Sequence, residues 1–347
     1  MKKTLLIALA FLATTGFSQV PAYYNGIDFS ASSNNIYAQL SLLVTNTHDE
    51  ITYSECWDAL KEADLDVGST TMVKLIYGYD DGDGNPVTDR TRNKNDNGGD
   101  NGQWNREHVF PKSLGSPDLG TEGPGSDAHN LRACDVQQNG NRANKKYTES
   151  SGNAGSTGGN WYPGDEWKGD CARIIMYMYL RYGTRCKPID VGTGSINSSD
   201  ANMANMFLEW NNDDPVSQCE KNRNDAIQNH QGNRNPFIDN PRIAYKIWGG
   251  PMAEDTWGGL GADENENDLL TIYPNPITDN IFYVTGLNTI DVDSLKLYSI
   301  SGQLIKSLDV NQLINNGGVS IDHVQNGTYV LSIVADDQAI QRKVIIQ

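Results

Sequence analysis

The hydrophobic pattern of the chain changes near residue 262. Before that point, apolar residues recur at the three- and four-residue spacing of helices in several segments. These segments begin near Tyr37, Ser54, Cys171, Asn202 and Pro215. Because proline suits a first helical turn, the last of these helices is expected to begin at Pro215. The stretch 80–105 is mostly Asp, Gly, Asn and Arg, so it is predicted to be a loop.

After residue 262 the pattern is typical of a β domain. Seven short apolar or alternating segments are separated by turn residues such as Ser301-Gly302 and Asn326-Gly327. This spacing predicts a small all-β sandwich that, with its acidic linker, occupies residues 263–347. The whole chain is therefore predicted to be α+β, with a mixed, mainly helical domain over residues 19–262.

The first 18 residues have the features of a secretory signal peptide. A basic start at Lys2-Lys3 is followed by the apolar block LLIALAFLA and by small residues. The alternative is a buried N-terminal helix. We favour the signal peptide over residues 1–18, and thus a secreted or cell-surface protein. No apolar run is long enough for a transmembrane helix, so no membrane span is expected.

Charge and cysteine content narrow the picture in two ways. The net charge of −17 argues against a polyanionic partner, yet the strip from Arg132 to Lys146 holds four cations against one acid. This strip suits a phosphate-binding groove or a solvated helix face, and charge alone does not separate the two. The five cysteines lack any CxxC pair, which disfavours a cysteine zinc site. Export permits disulfides, but an odd count leaves at least one thiol without an intrachain partner.

The residues with the most suggestive chemistry are Glu107 and His108, adjacent in the stretch NREHVFPKS. A neutral imidazole is a general base at working pH. Carboxylate and amide oxygens suit a hard cation such as Mg²⁺, so Glu107 and Asn139 are candidate metal ligands. Arg142, or alternatively Arg132, is a candidate clamp for a phosphate group. This set of residues predicts metal-assisted hydrolysis of a phosphodiester.

The same stretches resemble the bacterial endonuclease I family, within the ββα-metal (His-Me finger) nucleases. The matching segments are 106–111 (REHVFP), 127–131 (DAHNL), 139–144 (NGNRAN) and 231–237 (QGNRNPF). The resemblance implies a ββα-metal core and secreted, largely nonspecific cleavage of DNA and often RNA. It also implies that His108 is the general base and that Glu107 and Asn139 are the metal ligands.

One departure from that family concerns the phosphate clamp. Some relatives carry an arginine for the cleaved phosphate in a longer insert, whereas residues 113–126 of this chain contain none. Arg142, Arg132 and Arg173 therefore compete for the role. Asp127, His129 and Asn130 lie in a shared motif and are expected to support the site rather than to react.

The tail resembles a second family. The segments YPNP (273–276), LKLYSISGQLIKS (295–307) and NGTY (326–329), with the late Lys343, are similar to the C-terminal sorting domain of the type IX secretion system. This resemblance implies a partner in the secretion machinery. The alternative for the tail is an immunoglobulin-like binding module.

Two other functions remain open from the sequence. The chain would also suit a non-catalytic surface or adhesive protein, or a phosphoesterase acting on small molecules. The physiological ion is equally open, because Mg²⁺, Mn²⁺ and Ca²⁺ all prefer oxygen ligands. We expect a monomer that binds DNA and possibly RNA.

Overall fold

The computed structural model describes residues 20–260, 271–285, 292–300, 302–312, 318–335 and 338–347. The predicted signal peptide at residues 1–18 lies outside these ranges. The chain divides into two compact units between residues 260 and 261. Among the described helices, none combines the length and the apolar character that a membrane crossing requires.

The described part of the first unit is built mainly from helices. Their bounds are α1 (Ser33–Asn46), α2 (Cys56–Ala63), α3 (Val136–Arg142), α4 (Lys168–Tyr182), α5 (Pro188–Val191), α6 (Asn205–Asp213), α7 (Gln218–Gln231), α8 (Pro236–Asp239) and α9 (Arg242–Trp248). Three antiparallel strand pairs complete it: β1 (Met72–Lys74) with β2 (Thr91–Asn93), β3 (Trp104–His108) with β4 (Leu131–Asp135), and β5 (Gly155–Thr157) with β6 (Asn160–Tyr162).

Helix α4 lies at the centre of the core of this unit. Twelve of its fifteen residues are buried, so it lacks the polar face of a surface helix. Helices α1 and α6 pack against it. The helix ends where Gly183 adopts a positive φ of 54°, which an L side chain rarely adopts.

Helix α7 begins later than its sequence suggests. Ser217 accepts a hydrogen bond from the backbone N–H of Glu220, and the Glu220 side chain accepts one from the N–H of Ser217. This reciprocal capping box satisfies two backbone donors that would otherwise be unpaired. The helix therefore starts at Gln218, and the predicted start at Pro215 is wrong.

The predicted loop over residues 80–105 is also wrong in part, because it contains strand β2 and the beginning of β3. Strand β2 has little intrinsic β preference, but it pairs with β1 in register from Lys74–Thr91 to Met72–Asn93. Arg92, on β2, donates to Asp135 at 2.6 Å. Tertiary contacts thus impose the strand on a sequence of turn-forming residues.

The second unit contains β-strands in its described residues. Their bounds are β7 (Thr271–Tyr273), β8 (Ile281–Thr285), β9 (Val292–Ser299), β10 (Leu304–Leu308), β11 (Gly318–Ser320), β12 (Gly327–Ala335) and β13 (Gln338–Ile346). They form one sheet of order β10-β9-β12-β13 and another of order β11-β8-β7. Phe282 and Val319 from one sheet share a buried core with Leu297 and Leu331 from the other. With the helical first unit, this confirms the α+β class.

All five cysteines belong to the described residues, and each is a free thiol. Cys56, Cys134, Cys171 and Cys186 are buried, whereas Cys219 is partly exposed. The permitted disulfides are therefore absent from this structure. Burial raises the pKa of the Cys56 and Cys186 thiols to about 12, so both are protonated at neutral pH.

Candidate functional site

A strand pair followed directly by a helix carries the predicted site residues. Strands β3 and β4 pair so that Glu107 lies opposite Arg132. Asp135 then caps α3, because its carboxylate accepts from the backbone N–H groups of Gln137 and Gln138. The backbone N–H of Val136, the first residue of α3, donates to the Gln103 carbonyl just before β3. Later residues of the helix contact β3 itself, so that Asn139 reaches Asn105 and Arg142 reaches the carbonyl of His108.

The four residues chosen from the sequence meet at one place. Glu107, His108, Asn139 and Arg142 line a single cleft of about 200 Å³. His108, the candidate general base, is the last residue of β3, so the strand ends at this residue. Asn139 and Arg142 both belong to α3, whereas Asn144 lies beyond its end at Arg142.

His108 has a defined hydrogen-bond partner. Its Nε2 lies 2.9 Å from the backbone oxygen of Gly125. A carbonyl oxygen only accepts, so Nε2 carries the hydrogen and Nδ1 holds the free lone pair. The ring stacks on Tyr53, with centroids 5.7 Å apart. Burial lowers the pKa of His108 to about 4, which leaves the imidazole neutral at neutral pH.

Glu107 is a buried carboxylate that, among the described residues, has a single hydrogen-bond donor and one cation close by. Its side chain is 2% exposed and accepts a 3.0 Å hydrogen bond from the hydroxyl of Tyr77. The Nη1 atom of Arg142 lies 3.4 Å from the same oxygen. Burial nevertheless raises the pKa of Glu107 to about 7, because these two contacts only partly offset the loss of solvation.

Asn139 is oriented by its neighbour on β3. Its amide nitrogen donates to the side-chain oxygen of Asn105 at 2.8 Å. Among the residues that the structure describes, none donates to the Oδ1 atom of Asn139. The carboxamide oxygen is thus available for a ligand in the cleft.

Arg142 is fixed by backbone oxygens. Its guanidinium donates to the carbonyls of His108 at 3.1 Å and Val109 at 2.8 Å, and its Cζ lies 4.8 Å from the ring centroid of Tyr147. The residue is 1% exposed. These contacts hold the peptide that follows β3 and place a positive charge beside Glu107.

The other two candidate clamps are occupied elsewhere. Arg132 lies 3.0 Å from Asp64 and 2.7 Å from Asp170, and Arg173 lies 2.6 Å from Glu220. Both arginines are buried, and neither lines the cleft.

This burial changes the interpretation of the basic strip from Arg132 to Lys146. Arg132 and Arg142 are in the interior, so only Lys145 and Lys146 of its four cations reach solvent. The strip is therefore neither a continuous basic groove nor a solvated helix face. Arg142 still lines the cleft from within.

Asp127 is the centre of a largely buried polar group outside the cleft lining, which we call the Asp127 cluster; it is formed by Asp127, Tyr177, Arg181, Tyr182 and Gln231. Five groups donate to its two oxygens: the hydroxyls of Tyr177 and Tyr182, the guanidinium of Arg181, the amide of Gln231 and the backbone N–H of His129. Burial alone would raise the pKa of Asp127, but the Arg181 charge and these donors hold it well below its usual range.

The Asp127 cluster joins the distant motifs of the chain. Gln231 bonds to Asp127 at 2.8 Å, and Asn233 donates to the Tyr177 hydroxyl at 2.7 Å. Asn130 accepts from the backbone N–H of Phe110 at 2.7 Å and donates to the Phe110 carbonyl at 3.1 Å. The motif at 127–131 thus connects the segment at 231–237 to the backbone just after His108.

Sequence reasoning missed several residues of the site. Tyr77, 30 residues before Glu107, lies in no motif, although its backbone has a positive φ of 72°. Tyr53 contacts His108 from a turn and Gly125 from the short 3-10 helix Gly123–Gly125, and neither segment is long enough to carry a periodic signal. Arg106 is different, because it directly precedes the Glu-His pair, and this position in the sequence could have marked it as a candidate site residue.

The donor set in the cleft fits a hard divalent cation. Glu107 and Asn139 supply one carboxylate and one amide oxygen, and such ions complete their shells with water and phosphate oxygens. A cation would also favour the charged form of a carboxylate whose pKa burial has raised. The described residues contain no group of three or more His, Cys, Asp or Glu side chains suited to a metal, so a site made only of such ligands is not found there.

Comparison with known proteins gives two family matches. The profile of the family described as Endonuclease I matches residues 32–242, and that of the secretion system C-terminal sorting domain matches residues 271–347. Both resemblances expected from the sequence are confirmed.

Two similar proteins are each named extracellular ribonuclease. The one from Bacillus subtilis (strain 168) is 38% identical over 255 residues, which cover 70% of this chain and 83% of the relative. The one from Bacillus amyloliquefaciens is 40% identical over 217 residues, which cover 59% of this chain and 71% of the relative.

Proposed function

The chain belongs to the endonuclease I family, and from this premise we propose that it cleaves both RNA and DNA with little sequence specificity. It is a nuclease, and its sorting tail and extracellular relatives identify it as a secreted or cell-surface protein. The tail also implies contact with a secretion machinery. The boundary at residue 262, the signal peptide and the monomeric state stay predictions.

The observation that carries the proposal is the neutral His108 ring beside Glu107. The Nδ1 lone pair takes a proton from water as that water attacks the phosphorus atom, and the bond from phosphorus to the leaving oxygen breaks. The Nε2–H bond to Gly125, 2.9 Å long, steadies the ring and stabilises the imidazolium that results. The departing oxygen takes a proton from solvent.

Nucleases of this family generally depend on a divalent metal. In our proposal Glu107 and Asn139 hold one such ion, Mg²⁺ first and Mn²⁺ or Ca²⁺ as alternatives. When bound, the ion neutralises charge on the phosphate and on the leaving oxygen. The 3.0 Å hydrogen bond from Tyr77 fixes the Glu107 carboxylate that would hold the ion.

For Arg142 the contacts favour positioning over direct clamping of phosphate. Its guanidinium is buried and donates to the carbonyls of His108 and Val109. Arg142 thereby fixes the backbone at His108, the proposed base. Its charge offsets that of Glu107, because Nη1 lies 3.4 Å from the Glu107 carboxylate oxygen.

The substrate class follows from two lines of support. Two relatives are named ribonucleases, which favours RNA, and the family name covers endonucleases in general. A small-molecule phosphoesterase and an adhesive protein are the competing functions. An adhesive protein does not require a neutral histidine, an oxygen pair and a buried arginine around one cleft. A small-molecule phosphoesterase could use the same set, so the family match and the two named relatives are what favour the nuclease over it.

The test uses the full-length protein with plasmid DNA, a folded RNA and bis(p-nitrophenyl) phosphate as parallel substrates. We expect cleavage of both nucleic acids in Mg²⁺ and its loss in EDTA. His108→Ala should reduce the rate by roughly 10²- to 10⁴-fold, the usual contribution of a general base. Unchanged cleavage by His108→Ala would rule out the base assignment. Turnover of the small ester alone would favour the phosphoesterase.

A further inference from the structure

Arg106 differs from the three arginines considered above. Arg132, Arg142 and Arg173 each lie within 3.4 Å of a carboxylate oxygen. Arg106 has no ion pair with any described carboxylate within 4.0 Å. It nevertheless lines the same cleft as His108 and Asn139. A cation without a counterion in a substrate cleft suggests that the substrate supplies the negative charge.

The side chain of Arg106 is held flat between two aromatic rings. Its Cζ lies 3.5 Å from the ring centroid of Tyr53 and 4.1 Å from that of Trp57. Nη1 donates to the backbone oxygen of Tyr53. No described residue accepts a hydrogen bond from Nη2, so the Nη2 edge of the guanidinium keeps both of its N–H donors, whereas Nε is buried. Stacking restricts the rotamers and leaves that edge preorganised.

Arg106 is also placed beside the base. Residues two apart on a strand project to the same face, so Arg106 and His108 share one face of β3. The Tyr53 ring contacts both, because it stacks on the His108 ring at 5.7 Å. A phosphate within reach of His108 would therefore lie near the guanidinium as well.

We propose that Arg106 binds a phosphate group of the nucleic-acid strand next to His108, and that Tyr53 and Trp57 preorganise it. This inference rests on the proposed function, since it requires a nucleic-acid substrate in the cleft. The planar fork of an arginine matches two phosphate oxygens at once.

The experiment measures binding rather than cleavage. Full-length His108→Ala protein is titrated with a fluorescent single-stranded oligonucleotide, without divalent ions, at several KCl concentrations. The same titration is done with Arg106→Gln and with Lys221→Gln in that background. Lys221 is exposed on α7, so its substitution is a matched loss of one positive charge.

We expect Arg106→Gln to weaken binding about 10-fold or more at low salt, as the loss of a charged hydrogen bond does. The slope of log K against log salt should fall by about 0.7, the value for one phosphate contact on a single strand. Lys221→Gln should leave both quantities at their parent values. A slope in Arg106→Gln equal to that of Lys221→Gln would overturn the inference.

A charge-retaining variant keeps the inference testable if Arg106→Gln fails to fold, which thermal unfolding detects. Arg106→Lys should keep the salt slope but bind more weakly, because a lysine lacks the planar fork. If Arg106→Lys bound the oligonucleotide as tightly as the His108→Ala parent does, the proposed contact of the arginine fork with two phosphate oxygens would be wrong. Absence of oligonucleotide binding by the His108→Ala parent would instead count against the proposed function, so the two failures are distinguishable.

Discussion

Glu107 and Asp127 are both buried carboxylates of the first unit, and their surroundings are opposite. Within the part of the chain that the structure describes, Glu107 accepts one hydrogen bond, from Tyr77, and burial raises its pKa to about 7. Asp127 accepts from five donors; burial alone would raise its pKa, but the Arg181 charge together with these donors holds it well below the usual range.

This difference indicates two roles. The Asp127 carboxylate is fully satisfied by the protein and is a stabilising element. The Glu107 carboxylate is left under-solvated, as expected of a group that binds a ligand in the finished complex. The same residue chemistry thus stabilises the fold in one place and retains binding capacity in the other.

The largest expected effect is on cleavage activity, and it should follow substitution of Glu107 rather than of Asp127. Glu107→Gln keeps the side-chain shape but removes the charge that would hold a cation, so cleavage in Mg²⁺ should fall on the order of 10³-fold. Initial rates on RNA measure this, and circular dichroism checks the fold. Near-parent cleavage by Glu107→Gln would contradict the proposed metal role.

The second effect concerns stability. Asp127→Asn leaves the Arg181 cation buried without its carboxylate, which should reduce the free energy of unfolding by about 3–5 kcal/mol. All seven tryptophans lie in the first unit, so urea unfolding followed by tryptophan fluorescence reports on that unit. Tyr182→Phe, which removes one donor, is a milder control expected near 1 kcal/mol. An Asp127→Asn protein as stable as the parent would contradict the stabilising role of Asp127, and with it the contrast between Asp127 and Glu107.

The third effect is a pH dependence of opposite sign at the two sites. Because the folded pKa of Glu107 is raised, its contribution to stability is greatest below the unfolded value near 4.5 and declines as pH rises to about 7. In metal-free buffer, the stability of Glu107→Gln relative to the parent should rise across that range by on the order of 2 kcal/mol.

Asp127 has a lowered folded pKa, so its contribution is fully present above the unfolded value near 4 and is lost as pH falls below it. The deficit of Asp127→Asn should therefore be constant from about pH 5 to 8. Urea titrations at several pH values test both statements. A deficit that grew between pH 5 and 8 would mean that Asp127 titrates there.

The smallest effect concerns the donor to Glu107. Tyr77→Phe removes the hydrogen bond that favours the charged carboxylate, so the pKa of Glu107 should rise further. Cleavage should fall several-fold at pH 7 and recover at higher pH, which a pH–rate profile measures. Tyr162→Phe, which alters a hydroxyl bonded to Asp165 outside the cleft, is the control. A uniform loss at all pH values would indicate a packing role instead.

Sequence reasoning reached part of this picture for physical reasons. The long helices carry a 3.6-residue pattern of apolar residues. This pattern also predicts α4, although most residues of that helix are buried. Glu107, His108 and Asn139 were predicted from residue types and order that carry chemistry, and they line one cleft, while their roles stay predictions. Tyr77 and Gly125 act through a side chain and a carbonyl that only the folded chain brings to the site. Strand β2 was missed because pairing with β1, rather than propensity, creates it.

The central claim is that Asn139 and Glu107 share one cation next to a neutral His108. The most direct measurement is the Mg²⁺ concentration that gives half-maximal cleavage for the parent, Asn139→Ala, Asn139→Asp and the Lys221→Gln control. Loss of an oxygen ligand should raise this concentration about 10-fold or more in Asn139→Ala, whereas the added carboxylate in Asn139→Asp should lower it. Parent values in both Asn139 variants would contradict the claim.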